Sequence, residues 1–467
     1  MTRRLLFLAA TGFCASALAT ACGDDDHHGG TGPAAPVFLG ATADSNPNNA
    51  ISSVVTVKAA GYDSAYVRFW HAGSDTAVTP RGGFGPDSTA RIPVLGLDTA
   101  SNYAFEVSLV RDGESPVTAD TLAFASGSLP GWIPQPGVSG NDTTPGYLLL
   151  SYPDGGVVVN NGGRVVWYRH RPGGVLGSWS AQRNGLYSWL GSTDSSGYYL
   201  YDNLGDEVGR VSCVGFKTRF HDVLIQADGS AWIMCDDERV MDLTAVGGVN
   251  PATVTGTVIQ HLDPAGQLLF EWNAFDHLQI TDLPLADRTG AAVNFTHGNS
   301  IELDRDGHLL VSFRSLNEIT KINTTTGAII WRLGGLSNEF TLVNDPKGSF
   351  ERQHGMRLGN PGEIQFLDNG TSIPSRFVRY LLNPVAKTAT LVMSFIDSPT
   401  TFTNVGGGTQ HYSNGNSIVS FGREGRVVEV DPAGNRAWEL TGIDDVYVFR
   451  VQRFGSLYTP GLGEPTR

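Results

Sequence analysis

A strand–turn–strand phrase returns through the C-terminal two thirds of the chain, and this repeat limits the possible folds more than any other feature. In one form the second strand carries a Trp, as in VIQHLDPAGQLLFEW, ITKINTTTGAIIWRL and VVEVDPAGNRAWEL. In the other form a hairpin often opens with His, as in HDVLIQADGSAWIM, HGNSIELDRDGHLLVSF, HGMRLGNPGEIQFL and HYSNGNSIVSF. Two such hairpins make a four-stranded blade, and repeats of this length are typical of β-propellers.

The repeat predicts a six-bladed β-propeller over residues 131–467, although five or seven blades also fit the pattern. The earliest blades fall near 145–175 and 176–212, and YVFRVQRFGSLY (447–458) is expected to supply the last strand and close the ring. Glycine is abundant, at 58 of 467 residues, and no long stretch has the helical period. The fold class predicted for the chain is therefore all-β.

A second, smaller domain is expected over residues 37–130. Its short strands include VVTVKAAG, AYVRFWHAG and YAFEVSLVRDG. The segment LGLDTASNYAFEVSLV resembles the corner of fibronectin type III sandwiches, in which a Tyr hydroxyl bonds to upstream backbone. We expect a small fibronectin type III/immunoglobulin-like β-sandwich, joined to the propeller by the linker SGSLPGWIPQPG, with a role in spacing or docking.

The N-terminal sequence has the pattern of an export signal. Arg3 and Arg4 precede an apolar run that ends in LATAC, which indicates a lipoprotein signal peptide over 1–21 with lipidation of Cys22. Ordinary signal cleavage nearby is the alternative. Residues 22–36 then form a flexible, Gly- and Pro-rich tether. The expected location is the periplasm or the cell surface, with the chain held at a membrane by its N-terminal lipid.

The net charge of the chain disfavours one class of binding partner. The net charge is −14, and loss of Arg3 and Arg4 with the signal makes it −16, which does not favour nucleic acid. No other stretch is apolar enough to cross a bilayer.

Cys213 and Cys235 could form a disulfide in an exported protein, but their spacing does not decide whether they pair. The oligomeric state is not predicted.

Histidines open successive hairpins, and propeller symmetry would bring them together. The first strand of each blade lines the central channel, so His221, His297, His354 and His411 are expected around one axis at the channel mouth. The last three are each separated by 57 residues. A purely structural capping of blade starts by His is the alternative interpretation.

The hairpin FTHGNSIELDRDGHLLVSFR, residues 295–314, adds two polar side chains. Its DRDG turn is expected to pair its first and last residues, and this register sets Arg314 across from His297. Strand alternation puts Asn299 on the same face as His297. The three side chains form either an anion site or a solvated polar strand end.

Such a cluster is compatible with three chemistries: a metal site, anion binding without reaction, or nucleophilic catalysis on an anionic group. A catalytic metal is disfavoured because zinc motifs such as H-E-x-x-H are missing from the sequence and Asp222 is the only acid adjacent to a clustered His. We predict no metal and no cofactor. A calcium-dependent propeller hydrolase would need acids and amides where this chain has histidines.

The propeller region resembles the bacterial aryl sulfate sulfotransferases. The matching phrases are FHDVLIQADG, HGNSIELDRDGHLLVSFRSLNEITKIN with TGAIIWRLGG, and QHGMRLGNPGEIQFLDNG, which span about 220–370 in matching order and spacing. The resemblance implies transfer of a sulfuryl group from a phenolic sulfate ester to a phenol acceptor, without a nucleotide sulfate donor. It also implies ping-pong kinetics through a sulfohistidine intermediate.

Site residues follow from the same resemblance. His354 matches the nucleophile, and the residues that hold the sulfuryl oxygens and the departing phenolate match His221, His297, Asn299 and Arg314. A protonated His221 or His297 is expected to give its proton to the phenolate, while His354 stays neutral.

Two further hypotheses remain open. His411, in GGTQHYSNGN, lacks the D-N-G that follows His354 and ranks second as nucleophile. A role in substrate binding and no role in the reaction are the other two alternatives. The non-enzymatic alternative is a surface propeller lipoprotein that binds a sulfated or carboxylated ligand. The natural donor and acceptor are not predicted.

Overall fold

The computed structural model describes residues 35–140, 143–171, 176–443 and 446–461. The predicted signal peptide, Cys22 and most of the tether lie outside these residues. The prediction of an all-β chain is confirmed, because the described helices are short: Ala274–His277 (α) and the 3-10 turns Thr244–Val246, Ile280–Asp282, Leu285–Asp287 and Gly422–Glu424. None of the described helices has the length and apolar character needed to span a membrane.

The N-terminal region forms two antiparallel sheets. One contains Val37–Ser45, Ser53–Ala60 and Thr89–Val94, and the other contains Ala77–Val78, Gly82–Gly83, Ser64–His71, Asn102–Val110 and Val117–Ala125. Strand Ser53–Ala60 alternates buried with more exposed residues, as expected of a strand with one face on a core. The Tyr103 hydroxyl accepts a hydrogen bond from the Asp98 backbone N–H at 2.7 Å, which is the contact expected of the Tyr in this segment.

Six further sheets follow, numbered here in chain order, and the strands of each are given from the inner to the outer edge. Sheet 1 contains Val451–Phe454, Tyr147–Tyr152, Gly155–Asn160 and Val165–His170. Sheet 2 contains Gly177–Ala181, Tyr187–Gly191, Tyr198–Tyr201 and Glu207–Val211. Sheet 3 contains Lys217–Ile225, Ala231–Met241, Ala252–Leu262 and Leu268–Asn273, with Ala292–Asn294 parallel to the third strand.

The remaining three sheets repeat this order. Sheet 4 contains Gly298–Leu303, Leu309–Phe313, Glu318–Ile322 and Ile329–Gly334. Sheet 5 contains His354–Leu358, Glu363–Asp368, Arg376–Asn383 and Thr388–Phe395, with Thr341–Val343 parallel to its outer strand. Sheet 6 contains Gly408–His411, Ser417–Ser420, Val427–Val430, Arg436–Thr441 and Gly137–Gly140.

Hydrogen bonds join the inner strands into a closed cycle. The links run from each sheet to the next and return from sheet 6 to sheet 1: Ala181 N to Gln452 Oε1 (2.8 Å), Ser178 Oγ to His221 O (3.3 Å), Ile301 N to Asp222 Oδ2 (3.0 Å), Met356 N to Ser300 Oγ (3.0 Å), Thr409 Oγ1 to Gly355 O (2.8 Å) and Arg453 N to Gln410 Oε1 (2.6 Å). This cyclic arrangement is β-propeller-like.

The two ends of the ring meet at neighbouring sheets. Val451–Phe454 takes the inner position of sheet 1 and pairs with Tyr147–Tyr152, so the segment 447–458 supplies the closing strand as predicted. Gly137–Gly140 pairs with the outer strand of sheet 6. The chain is therefore tied across the same junction at its inner and its outer edge.

The N-terminal sheets pack directly on the ring. The Ala50 backbone N–H donates to the Tyr168 hydroxyl at 2.8 Å, and the Asn46 amide donates to the Leu204 carbonyl at 2.8 Å. One hydrophobic cluster also includes residues of both parts, such as Phe105 and Val157. The two parts therefore share a continuous core.

Candidate active site

A cavity of about 770 Å³ opens at one mouth of the ring. Four of the predicted site residues, His221, His297, His354 and Arg314, lie in its wall. The complete described lining is Leu176, Arg219, Phe220, His221, His297, Arg314, His354, Val405, Gly406, Arg423, Glu424, Tyr447 and Phe449.

The three histidines come from the inner strands of sheets 3, 4 and 5. His221 lies within Lys217–Ile225, His297 directly precedes Gly298–Leu303, and His354 begins His354–Leu358. Propeller-like symmetry therefore brings together residues that are 57 or more positions apart in the sequence. His297 has a left-handed backbone with a φ of 47°, a conformation that a side chain occupies at some cost and that is often found at functional sites.

Arg314 lies beside His297 as predicted, but the predicted register at the turn was wrong. The Gly307 N–H donates to the Asp304 carbonyl at 2.9 Å, as the predicted turn requires, but the Asp304 N–H donates to the His308 carbonyl at 2.8 Å. Leu303 therefore pairs with Leu309, one residue away from the predicted register. A register shift then occurs further along the hairpin. This shift restores the expected pairing at the far end, where the Arg314 N–H donates to the His297 carbonyl at 3.0 Å.

Asn299 sits at this register shift, and the prediction that it shares a face with His297 was wrong. Asn299 is 1% exposed and is not part of the cavity lining. Its side-chain amide donates to the Gln353 carbonyl at 2.6 Å. The physical reason is that a bulge interrupts the two-residue alternation of side chains on which the prediction depended. Asn299 therefore supports the residue before His354.

His354 is 4% exposed, and its ring is fixed through Nδ1. This nitrogen lies 2.9 Å from the Arg352 carbonyl and 2.8 Å from Asn369 Oδ1. Burial, and next the charge of Arg314, lower the pKa of His354 to about 4. The ring is therefore neutral near pH 7, as the sequence predicted.

His221 and His297 meet edge to face, with their Nε2 atoms 3.2 Å apart. Burial, and next the charge of Arg219, hold the pKa of both rings well below its ordinary value. These shifts favour the neutral form of both rings near pH 7. The expectation that one of them gives a proton to the phenolate stays a prediction, and the nearby arginines and the low solvent exposure disfavour a second cation here.

Arg314 forms no salt bridge with a carboxylate within the described ranges; Asp287, whose charge acts on Arg314 from further away, is paired with Arg352. Its guanidinium donates to the Asn404 carbonyl at 3.2 Å, and its Nε is buried without a hydrogen-bond partner. Burial, and next the charge of Arg352, lower the pKa of Arg314, yet an arginine stays charged. A half-buried cation with unused donors favours an anionic ligand.

Aromatic side chains form another part of the cavity wall. Phe220 and Phe449 have ring centroids 5.4 Å apart, and Tyr447 lies 6.3 Å from Phe449 at an interplanar angle of 20°. The sequence did not identify these three residues as site residues. Tyr447 and Phe449 lie in the aromatic run YVFRVQRF, which was interpreted as a closing strand, and Phe220 opens the phrase FHDVLIQADG, which was used for the family resemblance.

His411 does not join the histidine cluster. It ends its inner strand, whereas His354 begins one, and it lines a second cavity of about 340 Å³ together with Arg305 and Arg357. Its ring contacts Arg379, Ser417 and Asn360. The equal 57-residue spacing of His354 and His411 suggested equivalent positions in neighbouring sheets. The structure instead places Gly408, three residues before His411, beside Gly355, the residue after His354.

Asp222 lies between the two cavities. Its carboxylate bonds to Arg450, to Arg357 at 3.0 Å and to the Ile301 N–H at 3.0 Å. The Asp222 carboxylate, which was the only acid adjacent to a clustered histidine in the sequence, is therefore engaged by two arginines and a backbone N–H. Within the residues that the structure describes, no group of three or more His, Cys, Asp or Glu is arranged to hold a metal ion.

Cys213 and Cys235 form a disulfide, with their Cα atoms 6.1 Å apart. The bond is close to the site along the chain. Asp236, next to Cys235, forms an ion pair with Arg219, and Arg219 Nε donates to His221 Nδ1 at 3.0 Å. The disulfide therefore supports the strand that positions His221.

The profile of the Arylsulfotransferase (ASST) family matches residues 202–443, just over half of the chain. The chain belongs to the arylsulfotransferase family. The matched residues include all three clustered histidines and Arg314, so the arylsulfotransferase resemblance drawn from the sequence phrases is confirmed. No curated protein matches the sequence.

Solved structures similar to this arylsulfotransferase-family chain are distant. A protein of unknown function from Bacteroides caccae is 14% identical, covers 66% of this chain and 98% of its own, and has a TM-score of 0.44. Virginiamycin B lyase from Staphylococcus aureus is 11% identical, covers 67% of this chain and 89% of its own, and has a TM-score of 0.38. Likenesses at this level add nothing to the functional argument.

Proposed function

We propose that the chain is an aryl sulfate sulfotransferase that moves a sulfuryl group from a phenolic sulfate ester to a phenol through His354. Membership of the arylsulfotransferase family supports the general activity. One observation carries the assignment of the nucleophile. His354 has both of its described hydrogen bonds at Nδ1, in a cavity that it shares with Arg314, so its Nε2 is free to react.

In the first half-reaction, the Nε2 lone pair of His354 attacks the sulfur of the donor. An N–S bond forms, the S–O(aryl) bond breaks, and its electron pair leaves with the phenolate. Charge develops on the sulfuryl and leaving oxygens, as in phosphoryl transfer. The unused donors of Arg314 are suited to the sulfuryl oxygens. Asn299 contributes indirectly by holding the Gln353 carbonyl beside the nucleophile.

His221 and His297 are suited to the leaving oxygen. The neutral pair can donate a hydrogen bond from an Nε2–H to the phenolate as it departs, since a neutral imidazole carries one N–H. In the second half-reaction the acceptor phenol attacks the same sulfur, breaks the N–S bond and loses its proton to this pair or to solvent. His354 is then restored in its neutral form, which predicts ping-pong kinetics.

The aromatic wall is suited to the aryl ring of both substrates. Phe220, Tyr447 and Phe449 offer faces and edges on which a phenyl ring can stack. They lie in the same cavity as the cationic and histidine side chains. A ligand with an apolar ring and a compact anion matches this combination better than a purely polar anion would.

The decisive experiment is a single turnover of the purified protein with 4-nitrophenyl sulfate and no acceptor. We expect a burst of nitrophenol equal to the enzyme concentration, together with one added SO₃ on the peptide that contains His354. With an added phenol, double-reciprocal plots should give parallel lines. His354→Asn should remove both the burst and the adduct, whereas His277→Gln, at an exposed histidine outside the cavity lining, should retain them.

Other results would redirect the assignment. An adduct on His411 would keep the reaction and move the nucleophile to the second cavity. A folded protein that binds the sulfate ester but returns it intact, with neither burst nor adduct, would contradict the transferase and support the anion-binding alternative.

We infer that the six linked sheets are the six blades of a β-propeller. The closed cycle of hydrogen bonds between inner strands supports this count. We further infer that the two N-terminal sheets form a fibronectin type III/immunoglobulin-like sandwich, which is supported by the Tyr103 hydroxyl contact.

We propose that the protein is exported and held at a membrane by a lipid on Cys22. The sequence MTRRLLFLAATGFCASALATAC supports this location. Labelling of cells with a radioactive fatty acid should label the mature protein, and Cys22→Ser should remove the label. Equal labelling of both proteins would contradict lipidation at this residue.

A further inference from the structure

We infer that Asn369 and Arg219 hold His354 and His221 in opposite neutral tautomers, with the proton on Nδ1 in His354 and on Nε2 in His221. Neither Asn369 nor Arg219 was among the site residues expected from the sequence. Both act through a histidine, so they are positioning residues. The effect of the two residues on catalysis rests on the proposed function, whereas the assignment of the tautomers rests only on the hydrogen bonds of the two rings.

The tautomer of His354 follows from what surrounds Nδ1. The two atoms within hydrogen-bond distance are both oxygens, Arg352 O at 2.9 Å and Asn369 Oδ1 at 2.8 Å. A carbonyl oxygen accepts and cannot donate. Nδ1 must therefore carry the ring proton, and the Nε2 lone pair is left for the substrate.

The identity of the Asn369 oxygen is itself determined by contacts. The other end of the amide faces two carbonyl oxygens, Thr403 O and Gly406 O, each at 3.0 Å. A flipped amide would place its oxygen against both of them and its NH₂ against the proton on Nδ1. Asn369 is fully buried, so water cannot compensate for such a mismatch.

The tautomer of His221 follows from the opposite partner. Its Nδ1 lies 3.0 Å from Arg219 Nε, and an arginine Nε always carries a hydrogen. Nδ1 must therefore accept, which places the proton on Nε2. Arg219 is itself held by an ion pair with Asp236. Its single Nε hydrogen is shared between His221 Nδ1 and the Gly298 carbonyl, which lies 3.1 Å from Nε, and a second hydrogen on Nδ1 would face it.

Opposite tautomers give the two rings complementary chemistry. His354 presents a bare nitrogen for attack on sulfur. His221 carries an N–H on Nε2, which lies 3.2 Å from His297 Nε2 in the same cavity, so the histidine pair and not His221 alone faces the departing oxygen. When His354 forms its N–S bond, its ring becomes cationic. The two acceptors at Nδ1 then stabilise that charge, because hydrogen bonds to charged groups are stronger than those to neutral ones.

The test is ¹⁵N NMR of histidine side chains in the full chain at pH 7.5, where protonated and unprotonated ring nitrogens have well-separated shifts. His354→Asn and His221→Asn spectra assign the signals. We expect His354 to show a protonated Nδ1 and an unprotonated Nε2, and His221 the reverse. The same tautomer in both rings, or the two assignments exchanged, would overturn the inference whether or not the protein transfers sulfate.

Variants test the two positioning residues. Asn369→Ala should give mixed tautomers at His354 and lower kcat about 10- to 100-fold with little change in KM, the range of one hydrogen bond to a charged group. Arg219→Gln should give mixed tautomers at His221. Asn416→Ala removes a buried amide in sheet 6, where Asn416 contacts Glu429, and should change neither the spectrum nor kcat.

The experiments distinguish failure of the positioning role from failure of the proposed function. If Asn369→Ala is folded and leaves both the His354 tautomer and kcat unchanged, Asn369 has no positioning role. If the tautomers are as stated but no sulfuryl transfer occurs, the proposed function fails and the tautomer inference stands.

Discussion

At the scale of single residues, the site is defined by a cation that the protein does not neutralise. Arg314 has a buried Nε without a partner and donates to one backbone carbonyl. Arg314→Gln keeps a polar side chain but removes the charge and most donors. It should lower kcat about 10²- to 10³-fold, the cost of losing one preorganised donor to a developing oxyanion, as measured by steady-state nitrophenol release.

A matched arginine separates this effect from general destabilisation. Arg288 also has a buried Nε without a partner, but it lies outside the cavity lining. Arg288→Gln should retain near-normal kcat at an unchanged midpoint of urea unfolding. An equal loss in both variants would mean that Arg314 acts through folding and not through the sulfuryl group.

At the scale of elements, the inner strands of sheets 5 and 6 approach so closely that only glycine fits. Gly355 has a φ of +61°, and a Cβ there would lie 2.6 Å from Gly408 Cα. Gly355→Ala should lower the free energy of unfolding by about 3 kcal/mol, combining left-handed strain of about 1–2 kcal/mol with overpacking of about 1–3 kcal/mol. Urea unfolding measures this loss.

Gly348 is the matched control because it has a similar φ of +65° with no atom within 4 Å of an added Cβ. Gly348→Ala should cost only the left-handed strain, about 1–2 kcal/mol. Equal losses at both positions would show that the strand contact contributes nothing beyond backbone conformation.

The disulfide is a second device at this scale, because it closes a loop between positions that are 22 residues apart. Replacing both cysteines with serine should lower the free energy of unfolding by about 3 kcal/mol, as expected for a loop of this length. It should also reduce activity, since Asp236 and Arg219 next to the bond hold His221. A reducing agent should produce the same losses in the native protein and none in the double variant; a further loss in the double variant would contradict this account.

At the scale of the whole molecule, burial of neutral histidines makes folding depend on pH. The pKa of His354 is about 4 in the folded chain and about 6.5 when exposed. The unfolded chain therefore binds more protons, so stability is fully present above about pH 6.5 and is lost as the pH falls toward 4. For His354 alone the loss is about 3 kcal/mol by proton linkage.

Urea unfolding at pH 7.5, 6 and 5 measures this dependence. His354→Gln should flatten the curve by the contribution of one group, while His221 and His297, whose pKa values are also lowered, continue to act. A stability that rises as the pH falls from 6.5 would contradict the linkage.

Some features were predictable because they depend on local pattern. Turn residues and apolar alternation recur with a fixed period, and this was enough to predict an all-β chain, the closing strand of the ring and the convergence of His221, His297 and His354. The Arg314–His297 pairing was predicted as well. The predicted register was one residue off along most of the hairpin, and the bulge at Asn299 restored it at the far end.

The sequence by itself therefore determined the all-β class, the family and which residues could carry chemistry, because these follow from residue types at repeated positions. Only the tertiary structure decided which of them meet. It placed His411 at the second cavity, turned Asn299 toward Gln353 and brought Tyr447 and Phe449 of the closing segment together with Phe220 of sheet 3 in one aromatic wall. It also set the protonation of the histidines. Burial lowers the pKa of each ring, and the atom that faces Nδ1, an oxygen at His354 and a nitrogen at His221, selects the tautomer. Both depend on contacts between strands that are far apart in the chain.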